Sequence, residues 1–190
     1  MRHPIKITFF ILSLNTISLV YTNNVIKATK IICIQNSKYF VNHTCRLKPV
    51  NRYKSVAFLD GYLRKELRNV SVNIALYARN DVNTYNPFLV NFTQNICWYL
   101  GQKQFGTYMK VFMDVLTQYT NVNHSCPYSG LLIARNLYLE GNSISALFPK
   151  GTYKGVLIFY EGYPFDHIGT VEYYAELFEA RKILKKKKIK

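Results

Sequence analysis

The sequence predicts a mainly β protein, an antiparallel sandwich of seven or eight short strands with one principal helix, and three observations carry that prediction. Segments rich in Val, Ile, Tyr, Phe and Thr recur between turn residues along most of the chain. One stretch alone, about residues 103–119, has apolar side chains at spacings of three and four. These are Phe105, Tyr108, Met109, Phe112, Met113, Leu116 and Tyr119, on one face of a helix, with Lys103, Lys110, Asp114 and Gln118 elsewhere on the wheel. Turn residues also separate the strands at regular intervals, as a sandwich requires.

The chain opens on an export pattern. Basic Arg2, His3 and Lys6 precede an apolar run over residues 7–20, and polar Thr22, Asn23 and Asn24 follow it. The run is short for a bilayer span of ~20 residues, and no second run of membrane length follows, so residues 1–22 are expected to be a cleaved leader. The remainder divides into one domain over 23–180 and a basic tail over 181–190, where Lys185, Lys186, Lys187, Lys188 and Lys190 concentrate part of the +15 formal charge. In an exported protein such a tail predicts a solvated segment or a contact with an anionic surface, not nucleic acid.

Export decides how cysteine and asparagine are read. Cys33, Cys45, Cys97 and Cys126 imply two disulfides, for which three connectivities are open. A hairpin over 25–49, turning near Gln35, Asn36 and Ser37, would bring Cys33 opposite Cys45 and leave Cys97–Cys126 to clamp the helix; cross-pairing between the halves remains open. His3, His43, His124 and His167 lack metal-ligand spacing, so no metal site is expected. Asn42, Asn69, Asn91 and Asn123 each begin an Asn-x-Ser/Thr acceptor for N-glycosylation.

A glycan cannot lie in a core, and strand side chains alternate, so each acceptor within a strand also orients its neighbours. With Asn42 outward, Tyr39, Val41, Cys45 and Leu47 face inward. Asn69 likewise turns Val70, Val72, Ile74, Leu76 and Ala78 inward, and Asn91 does the same for Phe88, Val90 and Phe92. Gly61, the run Arg79-Asn80-Asp81, and Asn86-Pro87 are expected to mark turns or strand ends. Further strands are expected over 131–139, 152–160 and 168–178, the last with Val171, Tyr173, Ala175 and Leu177 on one face.

Sequence patterns for catalysis are missing. The chain has no Gly-x-Ser-x-Gly, no phosphate-cradling glycine loop and no His-Glu-x-x-His, and its acidic residues are few. No enzyme and no cofactor is expected. Sixteen Tyr and twelve Phe are more than a filled sandwich needs and suit a core that parts around an apolar ligand. That cavity is expected to be lined by Val72, Ile74, Leu76, Phe88, Val90 and Phe92 from the strands and by Phe105, Met109, Phe112 and Leu116 from the helix.

Five pieces in order add a resemblance: Cys45-Arg46-Leu47-Lys48 with Asn51-Arg52, then Pro87-Phe88-Leu89, Cys97, Asn123-His124-Ser125-Cys126-Pro127-Tyr128, and Pro149-Lys150-Gly151-Thr152-Tyr153. Together they resemble the signature of a large family of insect secreted proteins that carries a domain of unknown function and is similar to the CheB chemosensory proteins. Those proteins are likened to the ML lipid-recognition class, the MD-2-related proteins that include the ganglioside activator. The resemblance runs from about Cys33 to the last strand. It implies an immunoglobulin-like β-sandwich whose sheets part to hold a lipid or other hydrophobic molecule, with chemosensation as the setting. The chain departs from the pattern at Asn95, where an acidic residue would stand, and in its lysine tail. A secreted, non-enzymatic binding protein for a hydrophobic small molecule or lipid is therefore expected. The alternative is an interaction module with a filled core that modulates a cell-surface receptor or channel.

Overall fold

The computed structural model describes residues 20–102, 107–140 and 148–183. The expected leader up to residue 19, the lysine run and Phe105 lie outside them. The protein is mainly β, with strands β1 (Val20–Gln35), β2 (Phe40–Asn51), β3 (Lys54–Leu63), β4 (Val70–Arg79), β5 (Tyr85–Asn95), β6 (Leu131–Leu137), β7 (Gly151–Glu161) and β8 (Asp166–Ile183). Two short helices, α1 (Ile96–Gln102) and α2 (Thr107–Tyr119), stand between β5 and β6. Among the described residues the strands form two antiparallel sheets, one of five strands in the order β1-β8-β7-β4-β5 and one of three in the order β2-β3-β6.

Both disulfides are formed, Cys33–Cys45 and Cys97–Cys126, with Cα atoms 6.1 Å and 5.2 Å apart. The first does not close a hairpin as expected. β1 pairs with β8 and β2 with β3, so the turn at Asn36 carries the chain from one sheet to the other and Cys33–Cys45 ties the sheets together. Asn36 builds that turn. Its carbonyl accepts the Tyr39 N–H at 2.9 Å, its side-chain oxygen accepts the Lys38 N–H at 3.0 Å, and its side-chain amide donates to the His167 carbonyl at 2.7 Å.

The single helix expected over 103–119 is instead preceded by a separate one. Asn95 ends β5 and caps α1, its Oδ1 accepting the Trp98 N–H at 2.8 Å, which starts a helix that the strand-like sequence Ile96–Tyr99 conceals. Of the positions expected to be turns or strand ends, Asn86-Pro87 stands at the start of β5 and Gly61 near the end of β3. Gly61 is inside β3, where the Phe40 ring occupies the space of a side chain: a Cβ there would come within 2.9 Å of Phe40 Cδ1. Asn86-Pro87 opens β5, an edge strand of the five-stranded sheet, where proline is tolerated. Arg79-Asn80-Asp81 does turn the chain, with Asn80 Oδ1 accepting the Thr84 N–H at 2.8 Å. β1 begins at Val20 and β8 runs to Ile183, both beyond the domain limits expected from sequence.

The interior is divided. One buried cluster joins Tyr39, Leu63, Leu67, Val70, Val72, Ile96, Tyr128 and Ile168; the other joins Ile26, Ala175 and Leu177, with Leu139, Phe148, Tyr153 and Tyr173 packed on it. Residues packed on or belonging to both clusters also line the space described next.

Candidate functional site

A cavity of about 420 Å³ is walled by both sheets and by α2. The alternation of β8 supplies Val171, Tyr173, Ala175 and Leu177, β7 adds Leu157 and Phe159, and β1 adds Ile26, Ile31 and Gln35. Across from them stand Leu59 of β3 and Leu132, Ile133 and Leu137 of β6, while α2 contributes Phe112, Val115 and Leu116. The wall is apolar because the inner faces of both sheets, the alternating set of β8 among them, and one edge of α2 present mostly aliphatic and aromatic side chains to it.

Polar members of the wall are few, and most are satisfied internally. Thr120 Oγ1 donates to the Leu116 carbonyl at 2.6 Å, Thr170 Oγ1 lies 3.0 Å from His167 Nε2, and Asp60 faces Arg135 Nε at 3.3 Å. Tyr128 donates to the His124 carbonyl at 2.8 Å and Tyr153 to the Pro149 carbonyl at 2.6 Å. Burial pushes the Tyr128 hydroxyl up to about 12, and those of Tyr153 and Tyr173 upward as well, so all three are neutral at physiological pH.

Of the residues expected to line the cavity, Ile74, Leu76, Val90, Phe112 and Leu116 do so. Val72, Phe88, Phe92 and Met109 are not part of its lining. Val72 is fully buried within the first core cluster, and Phe88 packs on Tyr153 and Phe148, with ring centroids 5.6 Å and 6.3 Å apart, so it backs the wall. Phe92 pairs with Ile74 in the ladder and is half-buried without reaching the cavity. A register shift between Ala75 and Tyr77, with Leu89 at φ 53°, interrupts the strict alternation assumed for β5. Met109 is buried, yet it shares the other inner edge of α2 with Met113; the edge facing the cavity is Phe112, Val115 and Leu116. Val115, three residues from Phe112, carried the helical spacing that would have found it. The β8 face was visible as an alternation; what assigned it to the cavity was its partner sheet.

α2 is fastened to the wall at its C-terminal end. Thr120 bridges to Ala134, and the Asn121 side chain pairs with the β6 backbone, donating to the Leu131 carbonyl at 2.7 Å and accepting the Ile133 N–H at 2.9 Å. Cys97–Cys126 holds α1 to the segment that follows α2. The acceptors Asn42, Asn69, Asn91 and Asn123 are all exposed, and Asn91 lies beside Asn73 on the outer face, 3.2 Å away. Among the described residues no group of three or more His, Cys, Asp and Glu side chains is placed to hold a metal ion, and no helix is long and apolar enough to cross a membrane.

Residues 72–155 match the family described as a protein of unknown function, DUF1091. The matched stretch runs from β4 into β7 and so includes both helices, the Cys97–Cys126 bridge and the wall residues Ile74 to Tyr153. No curated protein matches the chain.

Proposed function

We propose that this protein is a secreted, non-enzymatic carrier of a hydrophobic small molecule or lipid, held between the two sheets of an ML-like, immunoglobulin-like sandwich. The observation that carries the reading is the apolar cavity of about 420 Å³. Its size falls in the ~300–1,000 Å³ range of small-molecule sites. Leaving so apolar a wall against water costs the protein the burial of that surface. A hydrophobic occupant offsets that cost through the same burial that binds it, at ~25 cal/mol per Å² of apolar surface. The sequence resemblance to the CheB and ML proteins supports the same reading and adds chemosensation as its setting. Export is supported by the leader pattern, by two disulfides and by four exposed glycan acceptors.

One observation favours a second activity on the surface. The β7–β8 turn holds Tyr163 and Phe165 at 89% and 56% exposure, a pair of aromatic rings suited to a receptor or channel contact. The test is organic extraction of protein purified from a native source, followed by mass spectrometry. A stoichiometric hydrophobic compound is expected. Protein that carries none, and that takes up none when incubated with long-chain lipids, would eliminate the carrier reading and leave the surface reading.

A further inference from the structure

Two polar side chains of the cavity wall have no hydrogen-bond partner among the described residues. Gln35 closes β1, and its amide makes no hydrogen bond to a described residue; its Oε1 is buried and unsatisfied. Gly61 and Gly169 line the cavity beside this amide: a Cβ on Gly61 would lie at ordinary contact distance, 3.7 Å, from Gln35 Nε2, and one on Gly169 3.8 Å from Gln35 Cγ. Tyr173 of β8 also lines the cavity, and its hydroxyl has no hydrogen-bond partner among the described residues. Every other polar side chain of the wall is already bonded, as given above.

The pair sits on one ribbon at a fixed separation. Tyr173 is the register partner of Ile31, and Gln35 is the partner of Gly169 on the same antiparallel ladder. Ile31, Gln35, Gly169 and Tyr173 all line the cavity, so the two polar groups point to the same side. Four residue steps at ~3.3 Å each put their backbone positions roughly 13 Å apart along the strand. Each belongs to one end of the divided interior: Gln35 follows the chain toward Tyr39 and Ile168 of one core cluster, and Tyr173 packs on the other.

We infer that the cavity takes an elongated molecule with a hydroxyl-type group at each end of an apolar body, one end read by Gln35 and the other by Tyr173. An amide and a phenol each donate and accept, and a hydroxyl does the same, so one group chemistry satisfies both anchors. With bonds near 1.5 Å and an advance of ~1.3 Å per carbon in an extended chain, a span of roughly 13 Å corresponds to about ten carbons. Leaving a buried amide and phenol unpaired against a plain hydrocarbon would forfeit about tenfold in affinity at each.

The inference rests on the carrier reading, and its test separates the two. Full-length secreted protein is equilibrated with radiolabelled decane, decanol and decanediol, and the retained compound is counted after desalting. A cavity without polar anchors ranks decane first and decanediol last, because each hydroxyl taken from water into an apolar site weakens binding. The inference expects the reverse order. Tyr173→Phe and Gln35→Met should each shift the preference for decanediol over decane about tenfold toward decane, and the double variant should restore decane to first place. Should Gln35→Met fail to fold, the ranking by the unaltered protein and by Tyr173→Phe still decides. Binding of all three with decane first overturns the inference and keeps the carrier; binding of none overturns both.

Discussion

Leu116→Trp separates an open cavity from a solid core. Leu116 faces the cavity from α2, opposite the β8 wall. An indole in place of the isobutyl group adds roughly two water-sized volumes, ~60 Å³, against a cavity of about 420 Å³. The ring therefore fits without displacing its neighbours, but it occupies about a seventh of the space and stands across the path of an extended chain. In a filled core the same insertion would force off-rotamer packing at a cost of ~1–3 kcal/mol, equivalent to roughly 2–12 °C for a domain of this size. The expected outcome is a melting temperature of the ligand-free protein within about 2 °C of the unaltered protein, with at least tenfold less hydrophobic compound recovered by extraction. Differential scanning calorimetry and quantitative mass spectrometry on one preparation provide both readings. A drop of several degrees with unchanged ligand content would refute the reasoning, because it would mean that the wall at Leu116 is packed and the ligand lies elsewhere.

Three further outcomes are expected. Replacing Cys97 and Cys126 together with Ser should destabilise the protein by ~2–4 kcal/mol, roughly 4–16 °C in melting temperature, since the bridge closes a loop containing both α1 and α2. Endoglycosidase treatment of protein secreted by eukaryotic cells should increase its electrophoretic mobility, and substituting Asn42, Asn69, Asn91 or Asn123 by Gln one at a time should identify the occupied sites by loss of that shift. The Asp166 carboxyl, held below its ordinary value by hydrogen bonds from Lys38 and Tyr39, should make stability fall in acid. Its pKa is lowered on folding, so the stabilisation is full above the ordinary carboxylate value of ~3.9 and disappears as pH falls through the lowered one. Asp166→Asn should therefore lower the melting temperature at neutral pH and have no effect in strong acid; a difference independent of pH would remove the carboxylate from the account.

Much of the β architecture was legible because burial and alternation leave a period of two in the sequence. Val171, Tyr173, Ala175 and Leu177 alternate with Thr170, Glu172 and Glu176, and the structure turns the first set to the cavity. The glycan acceptors worked as outward markers for the same reason: Asn42, Asn69 and Asn91 are exposed, and Tyr39, Val70 and Val90 beside them are buried. What stayed hidden was pairing between distant segments. Cys33 and Cys45 are close in the chain, which suggested a hairpin, whereas their strands belong to different sheets. No local pattern gives the reason for a glycine at position 61, since the cause is a Phe40 ring brought over it by the neighbouring strand. The cavity list failed where local regularity failed: Phe88 and Phe92 flank a register shift, and Met109 lies on the inner edge of α2 that meets the core instead of the void.

The persistence of an apolar void needs a cause, because packing ordinarily closes such space. Here the sheets are held to each other at separated points. At one end Cys33–Cys45 joins β1 to β2, the Asn36 amide bonds the His167 carbonyl, and buried Tyr39 donates to Asp166 at 2.5 Å. Elsewhere Tyr53, in the turn between β2 and β3, meets Phe178 of β8 with ring centroids 6.3 Å apart. Each core cluster fills the space near it, and Phe148, Tyr153 and Tyr173 brace the second with rings that cannot fold down as an aliphatic chain would. Collapse would have to shorten the interval between these fixed points, which the hydrogen-bonded ladders of β1, β8 and β7 resist. The same rigidity fixes the separation of Gln35 and Tyr173, so the feature that keeps the cavity open also sets the length of molecule it can satisfy.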